Sequence, residues 1–226
     1  MKSYIALDPR NALTSEEAKL TDLVLERFYS PDPELYHNQR HILQMLALKK
    51  RFFEKFLREE KILSVQKTIF LDSSLFLAII FHDCIYFPGS SENEKNSAEE
   101  MRNFLSEVGN SYSEEVLVEA EKLILSTEFG KTPSTSEEKF LHDLDWSGFC
   151  TLEELEKNEE KIIEEAVRAG WLRLEAQTAR LEFYMKLADS GKPIFYSVLS
   201  PFEKTAQDNL SSRILNFSSS TLSKFI

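Results

Sequence analysis

A histidine followed directly by an aspartate closes the most apolar run of this chain, LDSSLFLAIIFHD at residues 71–83. Imidazole nitrogens and carboxylate oxygens are both metal-ligand atoms. A carboxylate carried into a protein interior costs several kcal/mol unless it has a partner. For Asp83 the partner is either a cation or the blander set of an Arg, a Lys or backbone N–H groups. The other histidines are His37, His41 and His142. His37 and His41 stand four apart, which is one face of a helix. Such a pair can share a Zn²⁺, can divide into one ligand and one hydrogen-bonding neighbour, or can be ordinary half-exposed helix residues. His142 sits beside Asp143 in FLHDLDWS, with Asp145 two residues on. Cys84 and Cys150 lie in unrelated contexts, so no disulfide framework is visible, and Cys84 reads as a small core residue.

The elements that must position these groups read as helices. Leu75, Ala78, Ile79 and His82 recur at i, i+3, i+4 and i+7, so residues 71–83 form a helix whose buried face ends in His82 and Asp83. Thr14 and Glu17 form a capping box that opens a helix to about Tyr29, and Ser30-Pro31-Asp32-Pro33 breaks it. A second helix is expected from Glu34 or Leu35 to about Arg58, with Ile42, Met45, Leu46 and Leu48 or Lys49 inward and Lys49-Lys50-Arg51 as solvated surface. Further capping boxes at Ser91–Glu94 and Ser111–Glu114 open helices ending near Val108 and near Thr127, and one at Thr135–Glu138 opens a short helix that contains Phe140, Leu141 and Asp143-Leu144-Asp145. Thr151–Glu154 caps a long acidic helix to about Gly170. Residues 171–187 form another, with Leu172, Leu174, Leu181, Tyr184 and Leu187 as core positions. Pro201 and Glu203 start a last helix to about Asn216. Residues 194–199, IFYSVL, lean towards β but are assigned to a loop or a helix extension. The fold class is all-α.

The bulk numbers agree. At 226 residues, 42% hydrophobic and 29% charged, the chain reads as one globular domain over 1–226, with 1–13 a lead-in and 218–226 a frayed tail. A net charge of −11 argues against long nucleic acid as a partner, though not against a nucleotide bound through a divalent cation. No signal peptide or membrane-length apolar run is visible, and a cytoplasmic, reducing location is expected.

In chain order His41, His82-Asp83 and Asp145 read H…HD…D, two imidazoles and two carboxylates from three helices. With YHNQRHI (36–42), LAIIFHDCIY (77–86), NEKNSAEE (93–100), LILST (123–127) and FLHDLDWS (140–147), and more weakly 191–210, the sequence resembles the HD-domain superfamily of metal-dependent phosphohydrolases. It is most similar to a subgroup of predicted HD phosphohydrolases of about this length. The resemblance covers Tyr36 to Leu210. It implies a helical HD bundle with additional C-terminal helices and metal ligands at His41, His82, Asp83 and Asp145, with Asp143 as the rival for the last position. His37 would line the same pocket or face phosphate. Asn93 and Glu94 would approach from their turn, with Glu94 alternatively serving only as a cap for Ser91.

A His₂Asp₂ set with open positions suits one six-coordinate Mn²⁺, Mg²⁺, Co²⁺, Fe²⁺ or Ni²⁺ better than a closed structural Zn²⁺. Such an ion would generate a hydroxide to attack phosphorus in a small phosphate ester, a nucleotide by the resemblance, with Asp83 or Glu94 accepting the proton. Two positions depart from the subgroup: Glu34 stands where an Arg is usual before YHN, and Glu128-Phe129-Gly130 lacks a usual histidine. They favour the alternative of a domain without turnover that binds metal and a nucleotide or a protein partner. A plain helical interaction module is the third reading. Arg168, Arg173 and Arg180 are candidate phosphate partners or, on the blander view, surface salt-bridge residues.

Overall fold

In a computed structural model, residues 13–109 and 111–222 are described. Most of the lead-in (1–12) and the last four residues of the expected tail lie outside them. Among the described residues there are nine α-helices and no strand, only an isolated bridge between Ser30 and Asn38. They are α1 (Ser15–Phe28), α2 (Gln39–Glu59), α3 (Val65–Phe81), α4 (Asn93–Val108), α5 (Glu114–Ser126), α6 (Ser136–Asp145), α7 (Leu152–Arg168), α8 (Arg173–Asp189) and α9 (Glu203–Leu222). Tight 3-10 turns occupy Trp146–Cys150 and Ser200–Phe202. The all-α expectation holds. No helix among the described residues is long and apolar enough to cross a membrane.

The bundle is built round α3, which touches α1, α2, α4, α5 and α6. Leu75 through Phe81 are all 0% exposed, so its last two turns are buried on every side and the expected stripe is one edge of a fully enclosed segment. Each such Leu, Ile or Phe contributes about 1.5–3 kcal/mol relative to exposure. That burial fixes where the chain emerges at His82 and Asp83. The Tyr29 hydroxyl donates to the Ile80 carbonyl at 3.1 Å and braces the same end. Lys49 is not solvated surface: it is buried and donates to Asp72 at 2.6 Å, stitching α2 to α3.

Helix α2 starts four to five residues later than its pattern indicates. Asn38 is its cap: Oδ1 accepts from His41 N–H at 3.1 Å, while Nδ2 donates to the carbonyls of Asp32 and Leu35 at 3.0 and 2.6 Å. Those bonds hold 32–38 as a turn, so His37 precedes the helix and does not share a face with His41. The boxes at Thr14 and Thr135 form as expected. Those at Ser91 and Ser111 do not, because α4 and α5 begin after Glu92 and Ser113.

Helices α7, α8 and α9 pack on one another and on the Trp146–Cys150 turn. Ala176 and Tyr184 set the inward face of α8. Leu172, before the first turn, and Leu174, about 200° round from Ala176, are exposed rather than core. Residues 194–199 are a loop. Helix α9 runs past Asn216 to Leu222, so part of the expected tail is helical.

Candidate metal centre

Three helix ends deliver four donors to one point. His82 caps the C-terminus of α3 with Asp83 directly after it, the first turn of α2 carries His41, and the last residue of α6 is Asp145. The Nε2 atoms of His41 and His82 stand 3.4 Å apart. Asp145 Oδ1 is 3.2 Å from the first and 3.7 Å from the second. Asp83 Oδ2 is 2.8 Å from His82 Nε2. All four donor atoms lie within 4.8 Å of one another. A cation about 2.1 Å from each donor sets neighbouring donors about 3.0–3.4 Å apart, and the observed separations bracket that range. The group can hold a metal ion.

The electrostatics favour positive charge at that point. His82 Nδ1 donates to the Ile79 carbonyl at 3.0 Å, which leaves Nε2 to face the cluster. Two imidazole lone pairs cannot face each other at this distance without a proton or a cation between them. Burial disfavours a charged His82, but Asp83 and Asp145 outweigh it and hold its pKa well above the usual range. Burial likewise opposes ionisation of Asp145, yet its hydrogen bonds to His41 and His82 hold the carboxyl far below the usual range. Asp83 is lowered against its own burial by His82 and then His37.

The rivalry at the last position resolves by direction. Asp143 points away, and its carboxylate accepts from the N–H groups of Tyr196, Ser197 and Leu199 at 2.7, 2.9 and 2.8 Å. It tethers the 194–199 loop, and burial lifts its pKa to about 6 against those donors. Glu203 takes the N–H groups of Ile194 and Phe195 in the same loop. His142 is also absent from the cluster; its Nε2 bonds the Ile194 carbonyl at 3.1 Å and its ring stacks on Trp146.

The other expected residues divide. His37 reaches the centre through Asp83 Oδ2 at 3.7 Å, stacks on Tyr86 and bonds Glu165 Oε2 through Nδ1 at 2.5 Å. Burial lowers the charged form of His37, but Asp83 and Glu165 raise its pKa overall. Asn93 lines the larger cleft and clamps the 87–93 turn: Oδ1 accepts from Phe87 N–H and Nδ2 donates to the Phe87 carbonyl, both at 3.0 Å. Glu94 makes no cap bond to Ser91. It is half-buried on a cleft wall, and burial followed by Asp83 raises its pKa. Glu165 is one of many acidic residues on the helix capped by Thr151, and its contact with His37 spans 128 residues of chain.

Two clefts meet at the centre, sharing Tyr36, Asp145, Gly148 and Asn158. The larger, of about 410 Å³, is walled by aromatic rings, with Tyr86, Trp146, Trp171 and Phe183 among them. Phe129, in the departing segment, lines it and packs on Phe183. Arg180 is the one Lys or Arg among its lining residues; its guanidinium lies 4.4 Å from the Phe183 ring centroid and 4.5 Å from that of Tyr184. Arg168 and Arg173 are surface salt-bridge residues, held by Asp32 and Glu164 and by Glu160 and Glu164. The smaller cleft, of about 240 Å³, carries Glu34, Arg40, Lys157 and Lys161 beside His41 and Asp145.

No protein-family model, curated protein or solved structure matches this chain.

Proposed function

We propose that this protein is a metal-dependent phosphohydrolase of the HD type, acting on a small phosphate ester that carries an aromatic group, a nucleotide being the natural case. The observation that supports the reading is the convergence of His41, His82, Asp83 and Asp145 in the order H…HD…D, at spacings that fit one six-coordinate divalent ion. His142 is engaged elsewhere, which favours one ion over two. Mn²⁺, Mg²⁺, Co²⁺, Fe²⁺ and Ni²⁺ suit this mixed nitrogen and oxygen set. When bound, such an ion supplies Lewis acidity towards a phosphoryl oxygen and acidifies water.

The chain's own residues do the rest. Glu165 fixes the His37 ring, and His37 in turn orients Asp83. Glu94, whose pKa burial raises, accepts a proton from the cleft side. The aromatic wall takes the ring of the substrate by stacking, and Arg180, anchored over two rings, meets its negative charge. The net charge of −11 leaves long nucleic acid an unfavourable partner. The test is elemental analysis of the purified protein, followed by phosphate release from nucleoside mono-, di- and triphosphates with Mn²⁺, Co²⁺ and Mg²⁺. Metal-dependent release that Asp145→Asn abolishes supports the proposal; metal binding with no release from any compound replaces it with a binding domain.

A further inference from the structure

We infer that Arg40 and Lys161 form a second anion subsite in the smaller cleft, so that the substrate carries another phosphate beyond the one at the metal centre. The inference rests on the metal-centre reading and deepens it. The cleft is lined by His41 and Asp145 together with the two cations, Arg40 exposed beside His41 at the start of α2 and Lys161 half-buried on α7. At about 240 Å³ it has room for roughly eight waters at ~30 Å³ each, enough for one or two phosphate groups.

In a chain with 38 acidic and 27 basic residues, cations usually find carboxylates. Arg27, Arg102, Arg168, Arg173 and Arg213 all do. Among the described residues no carboxylate stands within ion-pair distance of Arg40 or Lys161. Glu154 and Lys157 share the cleft, but Lys157 is held by Glu153 at 2.7 Å and reaches Glu154 at 3.8 Å, so their charges largely answer each other. Glu34 is the acidic residue left, and it is exposed on the rim. Partial burial and then the neighbouring Arg40 charge hold Lys161 below the ordinary lysine pKa, despite Glu34 and Glu154. Two cations that repel each other beside a metal centre are relieved by an anion between them. Since both clefts open on Asp145 and Tyr36, one ligand can place its ring in the aromatic cleft, one phosphate at the centre and the next against Arg40 and Lys161.

Calorimetry tests this with adenosine 5′-monophosphate and 5′-diphosphate as probes on the Mn²⁺-loaded protein, wild type against Arg40→Gln/Lys161→Gln. Comparing the diphosphate-to-monophosphate affinity ratio between proteins cancels chelation of free Mn²⁺. The wild type should bind the diphosphate at least about tenfold more tightly. The double variant should lose most of that ratio, keep monophosphate affinity within about twofold and keep its Mn²⁺ affinity, because the metal ligands are untouched. The charge-keeping Arg40→Lys/Lys161→Arg should retain the ratio. An unchanged ratio in the Gln variant, equal weakening of both probes, or Mn²⁺ binding with neither nucleotide bound overturns the subsite and leaves the metal centre standing. Failure of the wild type to bind Mn²⁺ overturns both.

Discussion

Removing Asp143 and removing Asp145 should damage different properties. Asp143→Ala orphans three N–H groups, that of Leu199 buried and those of Tyr196 and Ser197 half-buried, each worth about 1–3 kcal/mol when unsatisfied. Taken at the middle of that range, the three sum to about 6 kcal/mol. Against this, the variant no longer buries a carboxylate held at about 6 rather than 3.8, a relief of about 3 kcal/mol at neutral pH. The net loss of about 3 kcal/mol lowers the Tm of a chain this size by roughly 6–12 °C. Its Mn²⁺ affinity should stay within about threefold of wild type, since no ligand is touched. Asp145→Ala should lose more than about a hundredfold in Mn²⁺ affinity. Differential scanning calorimetry and Mn²⁺ titration calorimetry on both variants read the two axes. Loss of Mn²⁺ binding in Asp143→Ala with retention in Asp145→Ala would refute the assignment of the fourth donor.

Four further outcomes follow from the structure. His82 carries a raised pKa in the metal-free fold, so Mn²⁺ binding should release a proton and tighten about tenfold per pH unit near neutrality, read by titrations in buffers of different ionisation enthalpy. The metal-free protein should do the opposite: the His82 contribution to stability is full below about pH 6.5 and fades as pH rises through the raised value. The pKa of Asp143 is also raised in the fold, so its stabilising contribution is present below 3.8 and lost as pH climbs through about 6; the Tm advantage of wild type over the non-titrating Asp143→Asn should shrink from pH 4 to 7, and a growing advantage contradicts this. Gly89 has a φ of +80°, and an added Cβ would stand 2.7 Å from Trp171 Cζ2. Gly89→Ala should therefore cost about 1–2 kcal/mol and displace Trp171. Adenosine 5′-monophosphate should bind more weakly while Mn²⁺ binding is unchanged.

The donors themselves were legible because few histidines are present and local chain chemistry places them. An apolar run ending in His82-Asp83 can only bring those groups to the edge of the core, and the Thr135 box fixes the start of the short helix that ends in Asp145. Local sequence does not separate Asp143 from Asp145. Two residues on a helix point about 200° apart, and nothing local says which side faces α3. The sequence pattern places the start of α2 too early because Glu34, Leu35 and Tyr36 tolerate a helix, whereas the Asn38 bonds to the Asp32 and Leu35 carbonyls exist only once the turn has formed. For Glu94 the cap alternative came from its spacing to Ser91, which the structure removes because the helix begins beyond Ser91, leaving Glu94 on the cleft wall. Glu165 and Lys161 sit in α7 among charges that look like a solvated face; their meaning comes from packing against a segment more than 100 residues earlier.

The most direct measurement is an anomalous difference map from crystals soaked in Mn²⁺. One peak is expected, about 2.0–2.4 Å from His41 Nε2, His82 Nε2, an Asp83 oxygen and an Asp145 oxygen. A map with no peak there, or with Mn²⁺ bound only at other carboxylates, would contradict the metal centre and the function proposed from it.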